Sequence, residues 1–156
     1  MKKFRISIIT VTKNSEKFLK QNILSVKSQK YKNFEHIIVD GNSTDKTIRI
    51  INSYKKNIKL IKNKNDKGLY HAMNVGIKNS TGDIIGILNS DDIYFKNALK
   101  IVNEYFNKYP NIKKYMDHQI DFAKTNQYVE TIFKRKINIK GIADKNFAVR
   151  GFAERQ

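Results

Sequence analysis

The sequence predicts an α/β fold in which a mainly parallel sheet is flanked by helices. In the first half of the chain, short runs rich in Ile and Val alternate with segments whose apolar residues recur at helical spacing. The connections between these segments are short. The first run, at 5–12, is β-branched on both faces, which is typical of a strand that helices cover on both sides. A chain of 156 residues is about the size of one domain.

Four apolar runs are predicted as strands and four segments as helices. The strands are RISIITVT (5–12), FEHIIVD (34–40), NIKLIKN (57–63) and GDIIGILN (82–89). The helices are NSEKFLKQNILSVKSQ with Asn14 or Ser15 as N-cap, STDKTIRIINSY opened by Ser43 or Thr44 and Asp45, a segment from Gly68 to about Asn79, and FKNALKIVNEYFNKY before Pro110. Beyond Pro110 the periodicity is weaker, and we expect helix around 116–135 and a short helix within 141–154.

Composition narrows the class of protein only in part. The formal net charge of +17 suits an anionic partner such as a phosphorylated small molecule, a membrane surface or nucleic acid, although lysine is spread along the whole chain as a general bias. The chain has no cysteine, which excludes disulfides and thiolate metal sites. No apolar run reaches the length of a membrane span, so we expect a cytoplasmic protein whose lysines allow peripheral contact with anionic lipid at the inner face of the cell membrane.

Polar residues gather where the predicted strands end. In open α/β sheets, ligands bind beyond the carboxyl ends of the strands, so these residues are candidates for a site. Three of them, Asp40, Asp91 and Asp92, would bring carboxylates into one crevice. A hard cation would relieve their repulsion, and oxygen ligands without His or Cys favour Mn²⁺ or Mg²⁺, which also bind substrate phosphates.

A plainer interpretation of NSDD at 89–92 stays open. Asn, Ser and Asp are common in turns and helix caps, so the two Asp residues would then cap a helix that begins near Phe95. The glycine-rich phosphate loops are missing from the sequence, since GDIIG lies inside a predicted strand. Any phosphate would therefore be met by metal and lysines.

Four stretches together resemble the catalytic domain of glycosyltransferase family 2, which has the Rossmann-like GT-A fold. They are ISIITVTKN, IIVDGNSTDKT, NDKGLYHAMNVGIKNSTGDIIGILNSDD and YFKNALKIV, and they cover roughly residues 4–107. The resemblance is strongest to bacterial enzymes that make capsule, O-antigen or other exopolysaccharide. It implies a core for nucleotide-sugar binding at 1–110 and a shortened acceptor-side helical segment at 111–156, within a single domain.

The resemblance also implies roles for individual residues. Ser43 and Asp45 would shape the turn after the second strand, or serve only as helix caps. The substrate-binding residues would be Thr10 and Thr12 in the nucleotide pocket, Asp40 as a hydrogen-bond acceptor for the nucleobase, and Asp66 and Lys67 in a nucleotide-contacting loop. Asn89 and Ser90 would also bind substrate, at the place of the family's DxD motif. Asp91 would be the leading metal ligand and Asp92 the second, while Asn89 stands where the family more often has Asp.

The implied chemistry is an inverting transfer of sugar from a nucleoside diphosphate sugar, with UDP favoured, to a saccharide or lipid-linked acceptor. Mn²⁺ or Mg²⁺ would be the cofactor. IADKNFAVR at 142–150 makes Asp144 the candidate general base, or only a residue that opens a helix. The stretch after Pro110 is shorter than in the family, so a catalytically incomplete domain that binds nucleotide only is an alternative. A basic nucleic-acid-binding module is a further alternative, although no groove-reading motif supports it and we expect no nucleic-acid partner.

Overall fold

A computed structural model describes residues 1–108 and 133–135. The strands are β1 (Ile6–Thr12), β2 (Phe34–Asp40), β3 (Lys59–Lys62), β4 (Ile84–Ile87) and β5 (Phe133–Arg135). Among the described residues they form one sheet in the order β3-β2-β1-β4-β5. The first four strands pair in parallel and β5 pairs with β4 in the antiparallel direction. This is a Rossmann-like sheet, and it confirms the predicted fold class.

The register places the ends of the strands at one edge of the sheet. Thr12 at the end of β1 pairs with Asp40 at the end of β2, and Asp40 pairs in turn with Lys62 at the end of β3. On its other side β1 pairs with β4 from Ile6 to Ile9. Because all four strands are parallel, the loops that follow them emerge at the same edge.

Helices cover both faces of the sheet, as the apolar strands require. The helices are α1 (Leu19–Lys27), α2 (Thr47–Ser53), α3 (Leu69–Lys78) and α4 (Ala98–Lys108), with a short 3-10 helix at Lys55–Asn57. The core between the sheet and α3 consists of Ile9, Val11, Ile37, Val39, Ala72, Met73, Ile77 and Ile85. On the other face, α1 and α2 pack through Leu19, Ile23 and Ile51 onto Ile38 of β2. On the same face, α4 packs through Leu99, Val102 and Phe106 onto Ile6, Ile8 and Ile84.

Gly76 sets the distance between α3 and the sheet. A Cβ atom built at this position would overlap the Ile9 Cγ2 atom of β1 and would lie 3.3 Å from Val39 Cγ2 of β2. Glycine costs roughly 0.5–1 kcal/mol in a helix interior relative to alanine. Here it allows the helix backbone to approach the two strands that carry the candidate site.

Two predictions about elements were wrong. The first helix was expected to begin at Asn14 or Ser15, but α1 begins at Leu19. Asn14 adopts a left-handed φ of 51° and belongs to a loop, and the Ser15 carbonyl accepts from the Phe18 and Leu19 N–H groups in the turn that leads into the helix. Residues 133–135, inside the stretch expected to be helical, form β5. The open edge of β4 supplies backbone hydrogen-bonding partners for this strand, and sheet pairing of that kind overrides local helix preference.

Candidate functional site

The loops that follow β1 and β2 are joined by reciprocal hydrogen bonds. The Asn14 N–H donates to Ser43 Oγ at 2.9 Å, and the Thr44 N–H donates back to Asn14 Oδ1 at 2.8 Å. One residue further on, the Ser15 N–H donates to Thr47 Oγ1 at 2.8 Å. The two loops therefore form one rigid unit beyond the ends of the central strands.

Asp40 lies at the base of this unit. Its side chain is 2% exposed at the end of β2. Ser43 donates to both of its oxygens, from the backbone N–H to Oδ2 at 3.0 Å and from the hydroxyl to Oδ1 at 2.5 Å. Since each carboxylate oxygen can accept more than one hydrogen bond, Asp40 keeps acceptor capacity for a ligand. Ser43 shapes the turn, which is the role the resemblance implied for it.

Asp45 performs both roles that the sequence left open. Its Oδ1 accepts from the Thr47 N–H at 2.9 Å at the start of α2, and its Oδ2 accepts from the Glu16 N–H at 3.1 Å in the loop after β1. Desolvation acts to raise the pKa of the Asp45 carboxyl, but the hydrogen bonds from Thr47 and Glu16 outweigh it and the pKa lies below its ordinary value. Asp45 is therefore a charged carboxylate that stabilises both loops.

The loop after β3 brings Asp66 beside the same unit. A Cβ atom at Gly41 would lie 2.7 Å from Asp66 Oδ2 and 3.5 Å from Lys13 Cδ, so both side chains approach the Gly41 backbone. Asp66 Oδ1 also accepts from Asn63 Nδ2 at 3.1 Å. Sequence reasoning missed Lys13, although its position directly after a strand end was a usable signal. Lys67 is exposed in the same loop.

Beyond β4 and Leu88, four residues form a closed turn, which we call the acidic turn (Asn89, Ser90, Asp91 and Asp92). The Asp92 N–H donates to the Asn89 carbonyl at 3.1 Å, and Asn89 Nδ2 donates to Asp92 Oδ2 at 3.2 Å. The Ser90 hydroxyl lies 2.9 Å from the Ser15 hydroxyl and so joins this turn to the loop after β1. Asp91 is exposed, whereas Asp92 is buried.

The alternative in which the two Asp residues cap the next helix is wrong. That helix, α4, begins at Ala98, and the Ala98 N–H donates to the Phe95 carbonyl. The acidic turn is separated from it by an irregular stretch. The Asp92 carboxylate is instead held by its own turn.

The expectation that three carboxylates surround one cation is also wrong for the described residues. No group of three or more His, Cys, Asp or Glu side chains among residues 1–108 is close enough to hold a metal. Asp40 is held by Ser43, and Asp92 accepts from Asn89. The exposed carboxylate of Asp91 fits an ion that keeps waters and binds substrate phosphates, which is the usual behaviour of Mg²⁺.

The two threonines of β1, Thr10 and Thr12, differ in the hydrogen bonding of their hydroxyl groups. Thr10 is 0% exposed and its hydroxyl contacts His36 and Asn22, so it does not line the crevice as the resemblance implied. The register of β1 explains this, because Thr10 lies two residues before the strand end. Thr12, at the end of β1, has a buried Oγ1 atom with no hydrogen-bond partner among the described residues. A buried hydroxyl of this kind at the crevice is a candidate ligand contact.

Asp144, the predicted general base, lies outside the described residues, as does most of the predicted acceptor-side segment 111–156.

Within the described part of the chain, no helix is both long enough and apolar enough to cross a membrane.

Comparison with known families identifies the class of protein. The family model for glycosyl transferase family 2 matches residues 7–153. The chain therefore belongs to glycosyl transferase family 2.

Particular relatives agree with this assignment. The structure of S. aureus TarS residues 1–349 in complex with UDP-GlcNAc superposes with a TM-score of 0.65 and 30% identity over 68% of this chain and 32% of that TarS chain. The E. coli enzyme UDP-Glc:alpha-D-GlcNAc-diphosphoundecaprenol beta-1,3-glucosyltransferase WfgD is 34% identical over 102 residues. That match spans 65% of this chain and 40% of the glucosyltransferase.

A match of a different kind accompanies them. DNA polymerase I of Streptococcus pneumoniae is 40% identical over 91 residues, which make up 58% of this chain but 10% of the polymerase. The polymerase match covers 58% of this chain and the glucosyltransferase match covers 65%, so the two matched segments overlap. Because the match spans so little of the polymerase, it carries no conclusion about polymerase activity.

Proposed function

We propose that the chain transfers a sugar from a nucleoside diphosphate sugar, with UDP as the favoured nucleotide, to a saccharide or lipid-linked acceptor. The supporting observation is the bonding of the loops after β1, β2 and β4 into one rim by the Asn14–Ser43 and Ser15–Ser90 contacts. Proteins similar to this chain include one crystallised with UDP-GlcNAc and one named for UDP-Glc and a diphosphoundecaprenol-linked acceptor. Ligands of open α/β sheets bind at such a rim.

The nucleotide would lie over the ends of β1 and β2. We assign Asp40 to the base, because its buried carboxylate keeps acceptor capacity toward the crevice. The buried Oγ1 atom of Thr12 would gain a partner there. Asp66 would contact the nucleotide across Gly41, and the exposed ammonium groups of Lys13 and Lys67 would neutralise diphosphate charge.

Asp91 would be the first ligand of a divalent cation, Mn²⁺ or Mg²⁺. Asp92 is the second candidate, since its Oδ2 is already held by the Asn89 amide. Asn89 and Ser90 set the shape of the turn that presents Asp91. When bound, such a cation stabilises the charge that develops on a diphosphate leaving group.

Transfer with inversion requires a general base for the acceptor hydroxyl, and Asp144 remains our candidate. We also propose that the protein works in the cytoplasm and contacts the inner face of the membrane through its lysines. The net charge of +17 and the lipid-linked acceptor in the name of the E. coli relative support this placement.

Release of UDP from a panel of UDP-sugars in Mn²⁺ or Mg²⁺ tests the proposal. We expect release with at least one sugar, and a loss of about 100-fold or more in Asp91→Ala. The control is Glu104→Ala, which removes an exposed carboxylate of α4 whose ion-pair partner in the described part of the chain is Lys100, at 3.6 Å, and this variant should keep full activity. Binding of UDP without turnover of any sugar would instead favour the incomplete domain that binds nucleotide only.

A second candidate function is binding of duplex DNA. It is favoured by the net charge of +17, because a basic surface attracts the phosphate backbone of DNA. Titration of duplex DNA at several salt concentrations tests it. A steep fall in affinity with salt, together with no response to UDP, would support this function over sugar transfer.

A further inference from the structure

Asn22 of α1 is a buried residue that contacts the acidic turn from behind. Its side chain is 0% exposed. Its Nδ2 group donates to the carbonyl oxygens of Asn89 and Asp92, both at 2.8 Å. These carbonyls belong to the first and last residues of the turn, so one amide group holds both of its ends.

The other side of the Asn22 amide is also engaged. Because Nδ2 gives both of its protons to carbonyls, the Asn22 Oδ1 atom faces β1 and accepts from the Thr10 hydroxyl at 3.4 Å. The Thr10 oxygen then accepts from His36 Nε2, which lies 3.0 Å away on β2. A buried chain of hydrogen bonds thus runs from β2 through β1 and α1 to the acidic turn, with all donors pointing toward the turn.

The protonation state of His36 is consistent with this direction of hydrogen-bond donation. Burial lowers the pKa of His36 to about 3, so the imidazole is neutral at physiological pH. A neutral imidazole has one N–H group, and the chain requires that group to be at Nε2. The chain is complete without any charge in the interior.

The same helix holds the chain beyond the turn as well. Ser25 Oγ accepts from the Tyr94 N–H at 3.0 Å, and Gln29 Nε2 donates to the Phe95 carbonyl at 2.8 Å. Asn22 and Ser25 of α1, together with Gln29 two residues beyond its end, therefore form a polar stripe that supplies partners to an irregular stretch of backbone. Asn22 is the member of this stripe that touches the acidic turn.

We propose that Asn22, supported by Thr10 and His36, is a positioning residue that fixes the acidic turn so that the Asp91 carboxylate is presented for the divalent cation and the diphosphate. This inference rests on the proposed function for its purpose. The inference goes beyond the proposed function because it assigns the geometry of the acidic turn to a residue that would touch neither nucleotide nor metal. Residues behind metal ligands commonly change metal affinity by about 10- to 100-fold when they are removed.

The test compares Asn22→Ala with Asn103→Ala. Asn103 is a matched control, because it is also a buried asparagine on a helix and accepts, through Oδ1, from the Phe4 N–H at 3.0 Å and the Tyr31 hydroxyl at 2.9 Å. Phe4 precedes β1, so this cluster lies at the opposite edge of the sheet from the acidic turn. One measurement is amide exchange of the Asp92 N–H, and the other is the calorimetric Kd for UDP with and without Mn²⁺.

We expect Asn22→Ala to speed exchange of the Asp92 amide by about tenfold or more. It should weaken UDP binding by about tenfold in Mn²⁺ and leave binding in EDTA unchanged. Asn103→Ala should change neither quantity, although it lowers stability. Equal effects of the two variants would show that Asn22 is only a structural residue and would overturn the proposal.

The exchange measurement separates this proposal from the proposed function. If the wild-type chain shows no Mn²⁺-assisted UDP binding, the proposed function fails, yet exchange at Asp92 still decides whether Asn22 holds the turn. Should Asn22→Ala not fold, Thr10→Val removes the donor to Asn22 Oδ1 at nearly constant volume. An unchanged Asp92 exchange rate in that variant would overturn the proposal.

Discussion

At the scale of single residues, His36 has an environment very different from that of a free side chain. It lies on β2 and is 3% exposed, and burial lowers its pKa to about 3. In the unfolded chain the imidazole regains its usual pKa near 6.5, so below that pH the unfolded state binds a proton that the folded state does not. Its contribution to stability is therefore complete above about pH 6.5 and is lost progressively as the pH falls toward 3.

A His36→Gln variant tests this linkage, because the Gln amide can still donate to Thr10 but does not titrate. Between pH 6.5 and pH 4.5 the wild-type free energy of unfolding should fall by up to about 1.4 kcal/mol per pH unit more than that of the variant. Glu35 and Asp45, whose pKa values lie below the ordinary carboxyl range, act at more acidic pH and are common to both proteins. Urea unfolding at several pH values measures the difference, and parallel pH profiles would show that His36 is not buried as described.

At the scale of elements, the position of α3 on the sheet depends on the absence of a side chain at residue 76. Gly→Ala inside a helix normally stabilises, by roughly 0.5–1 kcal/mol. At Gly76 the added methyl group would overlap Ile9 Cγ2 and crowd Val39 Cγ2. We expect Gly76→Ala to lower the free energy of unfolding by about 1–3 kcal/mol through overpacking.

Chemical denaturation measures this effect, and Lys78→Ala supplies the control. Lys78 is exposed at the end of the same helix and its removal should change stability by less than about 0.5 kcal/mol. A stabilised Gly76→Ala variant would mean that α3 does not approach β1 as closely as the structure has it.

At the scale of the whole molecule, positive charge is the dominant feature. The net charge is +17, and the described residues contain two ion pairs, Arg5–Glu35 at 3.7 Å and Lys100–Glu104 at 3.6 Å. Surface pairs of this kind contribute about 0–1 kcal/mol each to stability. Added salt therefore weakens little favourable attraction, while it screens the repulsion among the many positive charges. We expect the Tm to rise as NaCl increases from low to physiological concentration and beyond.

Differential scanning calorimetry measures this dependence. The control is the same titration with Lys side chains acetylated under mild conditions, which removes positive charge and should flatten the curve. A Tm that falls as NaCl rises would show that attractive ion pairs outweigh self-repulsion.

Much of this architecture could be predicted from the sequence because the local signals agreed with the global fold. The run at 5–12 is β-branched on both faces and the run at 34–40 contains Ile37, Ile38 and Val39 in succession, and the structure pairs them as parallel strands. The pairing of β5 with β4 could not be predicted, since it depends on an open sheet edge that no local pattern shows. Long-range pairing of this kind overrides local preference.

The sequence pointed to the carboxylates of the candidate site but not to the buried residue that holds the acidic turn. Asp40 and the acidic turn follow strand ends and were found for that reason. Asn22 was missed because α1 was interpreted through its apolar spacing at Leu19, Ile23 and Val26, although position 22 lies on the same buried face. A polar residue on the apolar face of a helix was the available signal, because a buried amide requires partners.

The central claim is that the rim of loops beyond β1, β2 and β4 binds a nucleotide together with a divalent cation, with Asp40 and Asp91 in separate roles. Calorimetric titration of UDP into the wild-type chain and into Asp40→Asn and Asp91→Ala, in Mn²⁺ and in EDTA, tests it most directly. We predict that Mn²⁺ tightens UDP binding by about tenfold or more in the wild type. Asp40→Asn should weaken binding in both conditions, and Asp91→Ala should remove only the increment from Mn²⁺. Binding of UDP that ignores Mn²⁺ and both substitutions would contradict the account.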